Sequence, residues 1–325
     1  MSTKESVLMM LENKKGMACS GEDIAGNLKI SRAAVWKAVK ELLKDGHKIS
    51  AGTNRGYILE PESDIISAQG IAANLPAGFE TGKIFVYGSV ASTNTTAKEM
   101  AVAGAEHGTV VIAETQTGGR GRFGRSFYAP AGCGLYLSVI LRPEKMDAAS
   151  LELATVYAAV NVCKAIEAVC GKKTGIKWVN DIFYEGKKIC GILCEGAADL
   201  ESRSLQWIVM GAGINLKEPP GGYPDELKDI VTALYAKNET TPARNKLAAA
   251  LIKEVLTSNA SQADLIEEYK SRLVMLGKTV EVKGRGGDIS YVATAKDVNE
   301  KGNLIVRKEN GETEELFSGE ISVKI

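Results

Sequence analysis

Eight residues in the first half of the chain, Gly118-Gly119-Arg120-Gly121-Arg122-Phe123-Gly124-Arg125, pack four glycines and three arginines directly behind an apolar run and Glu114-Thr115-Gln116. Glycines allow close backbone approach to a polyanion, and guanidiniums add fork-shaped donors, so such a loop suits nucleotide phosphates. Gly119, Gly121 and Gly124 formally satisfy the dinucleotide fingerprint, which requires a helix to follow. Pro130 and the apolar run Leu135 to Leu141 point to a loop and a strand instead. No Gly-Lys-Ser/Thr ending makes it a P-loop. A solvated basic loop or an RNA-binding tract remains open on these residues alone.

Two other clusters carry chemistry-bearing groups. Lys177-Trp178-Val179-Asn180-Asp181 closes a strand with a cation, an amide and a carboxylate, and alternation sends Lys177 and Val179 to one face. Lys187 and Lys188 follow, then Ile189-Cys190-Gly191-Ile192-Leu193, a strand-turn-strand with Gly186 in the turn. Gly211-Ala212-Gly213-Ile214-Asn215-Leu216 ends a strand with small residues that admit a ligand and an amide that can contact it.

The elements that must position these groups fall into three regions. Residues 1 to 60 follow the order helix, helix, helix, hairpin of a winged helix-turn-helix. Val7, Leu8 and Leu11 share one face, Ser20 and Ser31 are placed to cap the second and third helices, and Val35, Ala38, Val39 and Leu42 face inward. The third helix turns Arg32, Ala33, Trp36, Lys37 and Lys40 outward, and Arg55 stands at the hairpin tip, the candidate wing. Glu60-Pro61-Glu62-Ser63-Asp64 marks a boundary near residue 62. From 63 to 276 strand-like runs alternate irregularly with helices over 93–103, 148–169, 243–256 and 262–273, which predicts a mixed sheet with helices against it. From 277 to 325 four or five short strands, broken at Gly284 to Gly287, Asn299 to Gly302 and Asn310-Gly311, predict a small β-barrel.

Composition limits the partners. Forty basic residues balance forty acidic ones, so any nucleic-acid binding must come from a local patch. The first 60 residues carry ten Lys/Arg against seven Asp/Glu, a modest excess concentrated on the third helix and wing. Six cysteines without a CxxC pair, and only two histidines, argue against zinc and for reduced, buried thiols. The charged N-terminus does not read as a signal peptide, and no apolar run is long enough for a membrane span, so a cytoplasmic protein is expected.

Taken in order, Ser92-Thr93-Asn94, Glu114-Thr115-Gln116, Gly119 to Arg125, Lys177 to Asp181, Lys188 with Gly191, and Gly211 to Asn215 resemble the motifs of biotin protein ligases. The winged helix and the closing Gly319-Glu320-Ile321-Ser322 are similar to those of the bifunctional ligase-repressors. Val179 and Phe127 depart from that pattern, which more often has proline and tryptophan there, and bear on loop rigidity and packing. The resemblance implies an α+β multidomain chain: a winged helix, a mixed-sheet domain of the biotin/lipoate ligase type and an SH3-like barrel. It implies ATP with Mg2+, biotin as substrate and, through biotinyl-5′-AMP, as corepressor, a biotin carboxyl carrier protein as acceptor, operator DNA and a homodimer. Catalysis is expected from Arg120, Arg122, Lys188 and Asp181, with Asp181 the candidate magnesium ligand. Biotin is expected at Ser92, Thr93, Asn94, Gln116, Gly119, Arg120, Arg122, Lys188, Gly191 and Gly213, its bicycle walled by residues 135–137 and 189–193. The nucleotide is expected at Arg122, Arg125, Lys177, Asn180 and Asn215, and DNA at Arg32, Ala33, Trp36, Lys37, Lys40 and Arg55. The competing readings are a sensor-repressor without ligase activity, a ligase for another acyl acid such as lipoate, and a winged helix used only for protein contacts.

Overall fold

A computed structural model describes residues 1–52, 56–142, 149–198, 205–237, 239, 244–283, 290–317 and 320–323. Arg55, Gly284 to Gly287 and Gly319 lie outside the described residues.

The N-terminal module contains α1 (Thr3–Asn13), α2 (Gly21–Leu28), α3 (Arg32–Lys44), β1 (Ile49–Gly52) and β2 (Gly56–Leu59). Serine starts each helix: Ser2, Ser20 and Ser31 accept the amides of Glu5, Asp23 and Ala34, satisfying donors that a helix N-terminus leaves orphaned. Gly46, with φ +93°, follows the end of α3. Val7, Leu8, Leu11, Ile24, Val35, Val39, Leu42 and Leu59 form a separate small core.

A seven-stranded mixed sheet is the frame of the central module. Its strands are β3 (Ile84–Val90), β4 (Val110–Gln116), β5 (Gly134–Leu141), β6 (Gly175–Lys177), β7 (Asp181–Tyr184), β8 (Lys187–Ala198) and β9 (Leu205–Asn215). They lie in the order β3-β4-β5-β9-β8-β7-β6, with only β3 and β4 parallel. The helices are α4 (Ala68–Ala72), α5 (Thr93–Val102), α6 (Ala149–Cys170), α7 (Arg244–Thr257) and α8 (Gln262–Arg272). Helix α6 packs on β8 and β9 and against α7 and α8. Its Leu153–Cys170 stretch, contrary to the sequence reading, has the length and hydropathy of a membrane span. Val156, Ala158, Ala159, Val162, Cys163 and Ile166 are nevertheless buried in the main core, and a helix apolar on most sides suits a central packing position.

All six cysteines are free thiols. Cys190 and Cys194 point from one face of β8 as alternation requires; burial pushes both thiols up, Cys194 to about 12, which suits packing rather than ligation.

The C-terminal module holds β10 (Thr279–Lys283), β11 (Ser290–Val298), β12 (Leu304–Lys308), β13 (Thr313–Leu316) and β14 (Glu320–Val323). They form an antiparallel sheet in the order β13-β12-β11-β10-β14, the SH3-like arrangement, with no β13–β14 ladder closing it among the described residues. Val280, Val282, Ala293, Ala295, Val298, Leu304 and Val306 join the main core, so this sheet packs continuously with the central module.

Two elements escaped the sequence pattern. Helix α4 is a single turn, too short for helical periodicity to register. Strand β7 is short and polar at its start, and its pairing Lys177↔Asp181 makes residues 178–180 a tight turn. The face alternation expected of Lys177 and Val179 therefore fails: the strand ends at Lys177, which lines a cavity, while Val179 packs on the core.

Candidate active site

A cavity of about 560 Å³ opens over the ends of β4, β8 and β9 and under the segment after β4. Arg120, Arg122, Arg125, Lys177, Lys188 and Lys283 line it, against one carboxylate among the described lining residues, Asp181. Six cations against one anion make this wall a receptor for a polyanion.

One end is neutral and polar. Ser92 precedes α5, whose first residues, Thr93 and Asn94, are buried. The amide and hydroxyl of Thr93 donate to Gln116 Oε1 at 2.8 and 3.2 Å. Gln116 Oε1 is thereby occupied, which leaves Nε2, beside Gly119, as its ligand donor. Asn94 Nδ2 donates to the Leu193 carbonyl and to Glu195 Oε2, and Glu195 pairs with Lys98 at 2.6 Å. Ser138 Oγ sits 2.8 Å from Thr93 Oγ1 and 2.7 Å from Asn94 Oδ1. Sequence reading missed Ser138, although a serine inside Leu-Tyr-Leu-Ser-Val-Ile-Leu signals a buried polar group in need of a partner.

The glycine-arginine segment is a compact double-back. Gly121 N donates to Arg125 O, Phe127 N to Gly119 O and Gln116 N to Ala129 O. A 3-10 turn at Arg122–Gly124 forms its tip, with Phe123 and Gly124 at positive φ. No helix follows, and the next regular element is β5. Phe127 hangs from the returning arm onto the cavity floor. A Cβ at Gly213 would lie 2.5 Å from the Phe127 ring, and one at Gly119 2.5 Å from its carbonyl. Gly213 thus makes room for an aromatic side chain, a role that its place at a strand end did not reveal. Gly211 serves a different neighbour, since a Cβ there would meet Asn94 Oδ1 at 1.9 Å.

The charged end is built on two tight turns. Asn180 is pinned to β8, Nδ2 donating to Ile192 O at 2.7 Å and Ile192 N returning to Asn180 O. Its Oδ1 accepts from Arg122 Nη1 at 3.3 Å across the cavity. Asp181 Oδ1 and Lys188 Nζ are 2.7 Å apart. That contact is an ion pair, because the shielded Oδ1 receives no hydrogen bond of good geometry. Trp178 braces the turn through Nε1 donating to Gly302 O at 2.8 Å, and Tyr269 OH donates to Val179 O. The C-terminal module also supplies Lys283, which sequence reading missed because distance along the chain hides it. Asn215 Nδ2 donates to Thr232 O, fixing the amide at the cavity edge.

The expected site residues Ser92, Thr93, Asn94, Gln116, Arg120, Arg122, Arg125, Lys177, Asn180, Asp181, Lys188, Gly191, Gly213 and Asn215 all line this one cavity. Gly119 is buried behind the loop. Of the expected apolar wall, residues 190–193 line the cavity, joined by Phe127, Trp178 and Ala212, whereas Leu135, Tyr136, Leu137 and Ile189 are buried and do not line it. Leu135 and Leu137 face the main core, and Tyr136, on the other face of β5, packs edge-on under the Phe127 ring.

Away from the cavity, Arg32, Ala33, Trp36, Lys37 and Lys40 are all exposed on α3, with Lys40 Nζ 3.9 Å from the Trp36 ring centre.

The three modules match three family models. Residues 3–58 match an HTH domain, 86–215 the biotin/lipoate A/B protein ligase family, and 275–324 the biotin protein ligase C terminal domain. The chain is 32% identical over 311 residues to the bifunctional ligase/repressor BirA of Bacillus subtilis, covering 94% of this chain and 93% of that one. This chain belongs to the bifunctional biotin ligase/repressor family. It is also 29% identical to the bifunctional ligase/repressor of Escherichia coli over 94% of its length and 92% of the relative's. Among solved structures it superposes on the biotin protein ligase from Aquifex aeolicus in complex with biotin and ATP. The TM-score is 0.59 at 27% identity, covering 74% of this chain and 98% of that one. The chain is a biotin protein ligase with an N-terminal helix-turn-helix repressor domain.

Proposed function

We propose that the cavity forms biotinyl-5′-AMP from biotin and ATP and presents it to a lysine of a biotin carboxyl carrier protein. The observation that carries this assignment is the division of one cavity into a neutral hydrogen-bonding end and an end where six cations face, among the described residues, one carboxylate. A ureido ring needs neutral donors and acceptors when buried, and Ser92, Thr93, Asn94 and Gln116 offer them. Gly191 and Ala212 leave space for the bicycle beside Phe127.

Attack of the biotin carboxylate on the α-phosphorus gathers negative charge that cations must offset. Lys188 faces the carboxylate and α-phosphate oxygens, Arg120 and Arg122 cover the reacting centre, and Arg125 and Lys177 take the outer phosphates. Asn180 and Asn215, each fixed by a hydrogen bond to backbone, orient the nucleotide. A phosphate-borne Mg2+ needs few protein carboxylates, and Asp181, whose shielded Oδ1 lacks a hydrogen bond, fits that requirement. Held there, the ion would supply neutralisation of phosphate charge. The double-backed loop, hinged on glycines, covers a hydrolysis-prone mixed anhydride and excludes water. In the second step an acceptor amine attacks the acyl carbon and AMP leaves, so no enzyme nucleophile is required.

On the N-terminal module, Arg32, Ala33, Trp36, Lys37 and Lys40 form the face that enters a DNA groove, with the chain acting as a homodimer on paired half-sites in the cytoplasm. The exposed cationic row on a capped helix supports this reading over a protein-only role.

The test is incubation with ATP, Mg2+, an apo-carrier domain and either biotin or lipoate. Mass spectrometry is expected to show a biotin-sized gain on the carrier lysine together with pyrophosphate release. Gain with lipoate alone, or no pyrophosphate with either acid, overturns the assignment.

A further inference from the structure

The linker between the winged helix and the ligase module is clamped by one buried arginine. Arg244, the first residue of α7, is 5% exposed. Its backbone N donates to Asp64 Oδ1 at 2.7 Å, its Nε to Asp64 Oδ2 at 2.9 Å and its Nη2 to the Asp64 carbonyl at 2.7 Å. Its neighbour Asn245 continues the clip, accepting from Ser67 N and donating to Ile65 O. From the winged helix, Lys15 Nζ donates to Ser63 O, and Ser63 Oγ accepts from Lys48 N. Residues 63–67 are therefore fixed from both sides, although Glu60 to Asp64 reads in sequence as a plain polar boundary.

The same guanidinium also reaches strand β4 behind the ligand cavity. Arg244 Nη1 donates to Glu114 Oε1 at 2.8 Å and lies 3.4 Å from the Gly134 carbonyl. Glu114 Oε1 also accepts from Gly132 N at 2.7 Å. Glu114 is two residues before Gln116 on β4 and so shares its face. Gly132 and Gly134 end the returning arm that starts at Phe127 and pairs with Gln116 through Ala129. Burial disfavours the Arg244 charge, but Asp64 and Glu114 more than offset it and hold the guanidinium's pKa up. Neither carboxylate lines the cavity, so this network is spent on position rather than ligand contact.

We infer that Arg244 is a positioning residue that holds Gln116 and Phe127, the biotin end of the cavity, in register with the winged-helix linker. The inference rests on the assignment of that end to biotin. A shift of the linker that moves Asp64 would therefore also loosen Glu114, so the DNA-binding module and the ligand pocket share one contact.

The experiment uses the full chain and four variants: Asp64→Asn, Glu114→Gln, Arg244→Lys and Arg244→Met. Biotin and ATP KM are measured by biotin-dependent ATP–pyrophosphate exchange, biotin affinity by calorimetry and folding by thermal melts. Arg244→Met is expected to raise biotin KM about tenfold with ATP KM and kcat within about twofold, and Arg244→Lys to recover part of the loss. Asp64→Asn, on the linker and outside the cavity, is expected to raise biotin KM severalfold. Its combination with Glu114→Gln should fall short of the product of the single effects. Should Arg244→Met not fold, Asp64→Asn carries the test. Unchanged biotin affinity in a folded Asp64→Asn, or biotin and ATP KM rising together, overturns the inference. Absence of exchange in the wild type refutes the activity instead, and calorimetry with biotin still reads the clamp.

Discussion

Two glycines two residues apart on β9 should respond to the same substitution in opposite ways. A methyl at Gly211 would stand 1.9 Å from Asn94 Oδ1 and 2.8 Å from its Cγ, well over 1 Å inside the distance at which carbon and oxygen rest. Asn94 cannot yield, because its amide is held by Leu193 O, Glu195 and Ser138. Displacing it forfeits three hydrogen bonds and leaves buried polar groups unpaired, on the order of 3 kcal/mol. For a domain of this size that corresponds to a fall in Tm of roughly 6–12 °C. A methyl at Gly213 would stand 2.5 Å from the Phe127 ring, but Phe127 hangs on a loop and can swing away. Gly213→Ala should therefore melt within about 2 °C of the wild type while raising biotin KM about tenfold, because the aromatic ring on the cavity floor is displaced. Differential scanning calorimetry and pyrophosphate exchange on both variants make the comparison. If Gly211→Ala keeps the wild-type Tm, or Gly213→Ala loses stability without a change in biotin KM, the account of the cavity floor is wrong.

Replacing Lys188 by Met removes the ammonium that pairs with Asp181 at 2.7 Å; adenylate formation in single-turnover quench-flow should drop by about 10²–10³-fold with the protein still folded. Charge reversal at Lys37 and Lys40, both exposed on α3, should weaken operator binding and lower its salt slope by roughly 1 per lost phosphate contact. Pyrophosphate exchange should be untouched in that variant. His47 is buried with Nδ1 unpaired, and burial lowers its pKa from the usual imidazole value near 6.5. The unfolded chain then binds the extra proton first, so winged-helix stability should fall as pH drops from about 6.5 through the lower folded value. Melts from pH 7.5 to 5 should show that decline, and His47→Gln should flatten it.

Much of the site was legible because its chemistry is concentrated in short segments. The four-glycine, three-arginine loop and the Lys177 to Asp181 run carry residue types that a merely structural segment rarely combines. The apolar pattern also placed the helices of the winged module, where Ser31 caps α3 and Gly46 follows it. Strand β7 was harder to see, since a four-residue strand that opens on Asp181 and continues with three consecutive apolar residues shows no period of two.

From residue types and spacing alone followed the family, the three-module order and the set of polar side chains that share one cavity. Those are local properties, written in motifs of a few residues each. Tertiary structure decided which neighbours those side chains answer to. Ser138 becomes part of the Thr93–Asn94 network only because β5 passes beneath α5, and Lys283 reaches the cavity only because the C-terminal sheet packs on the central core. Phe127 takes the space above Gly213, and Arg244 joins residues 64, 114 and 134 across separations of up to 180 positions. Contacts between residues so far apart leave no periodic or compositional trace, because the chain's packing, not its local propensity, brings them together.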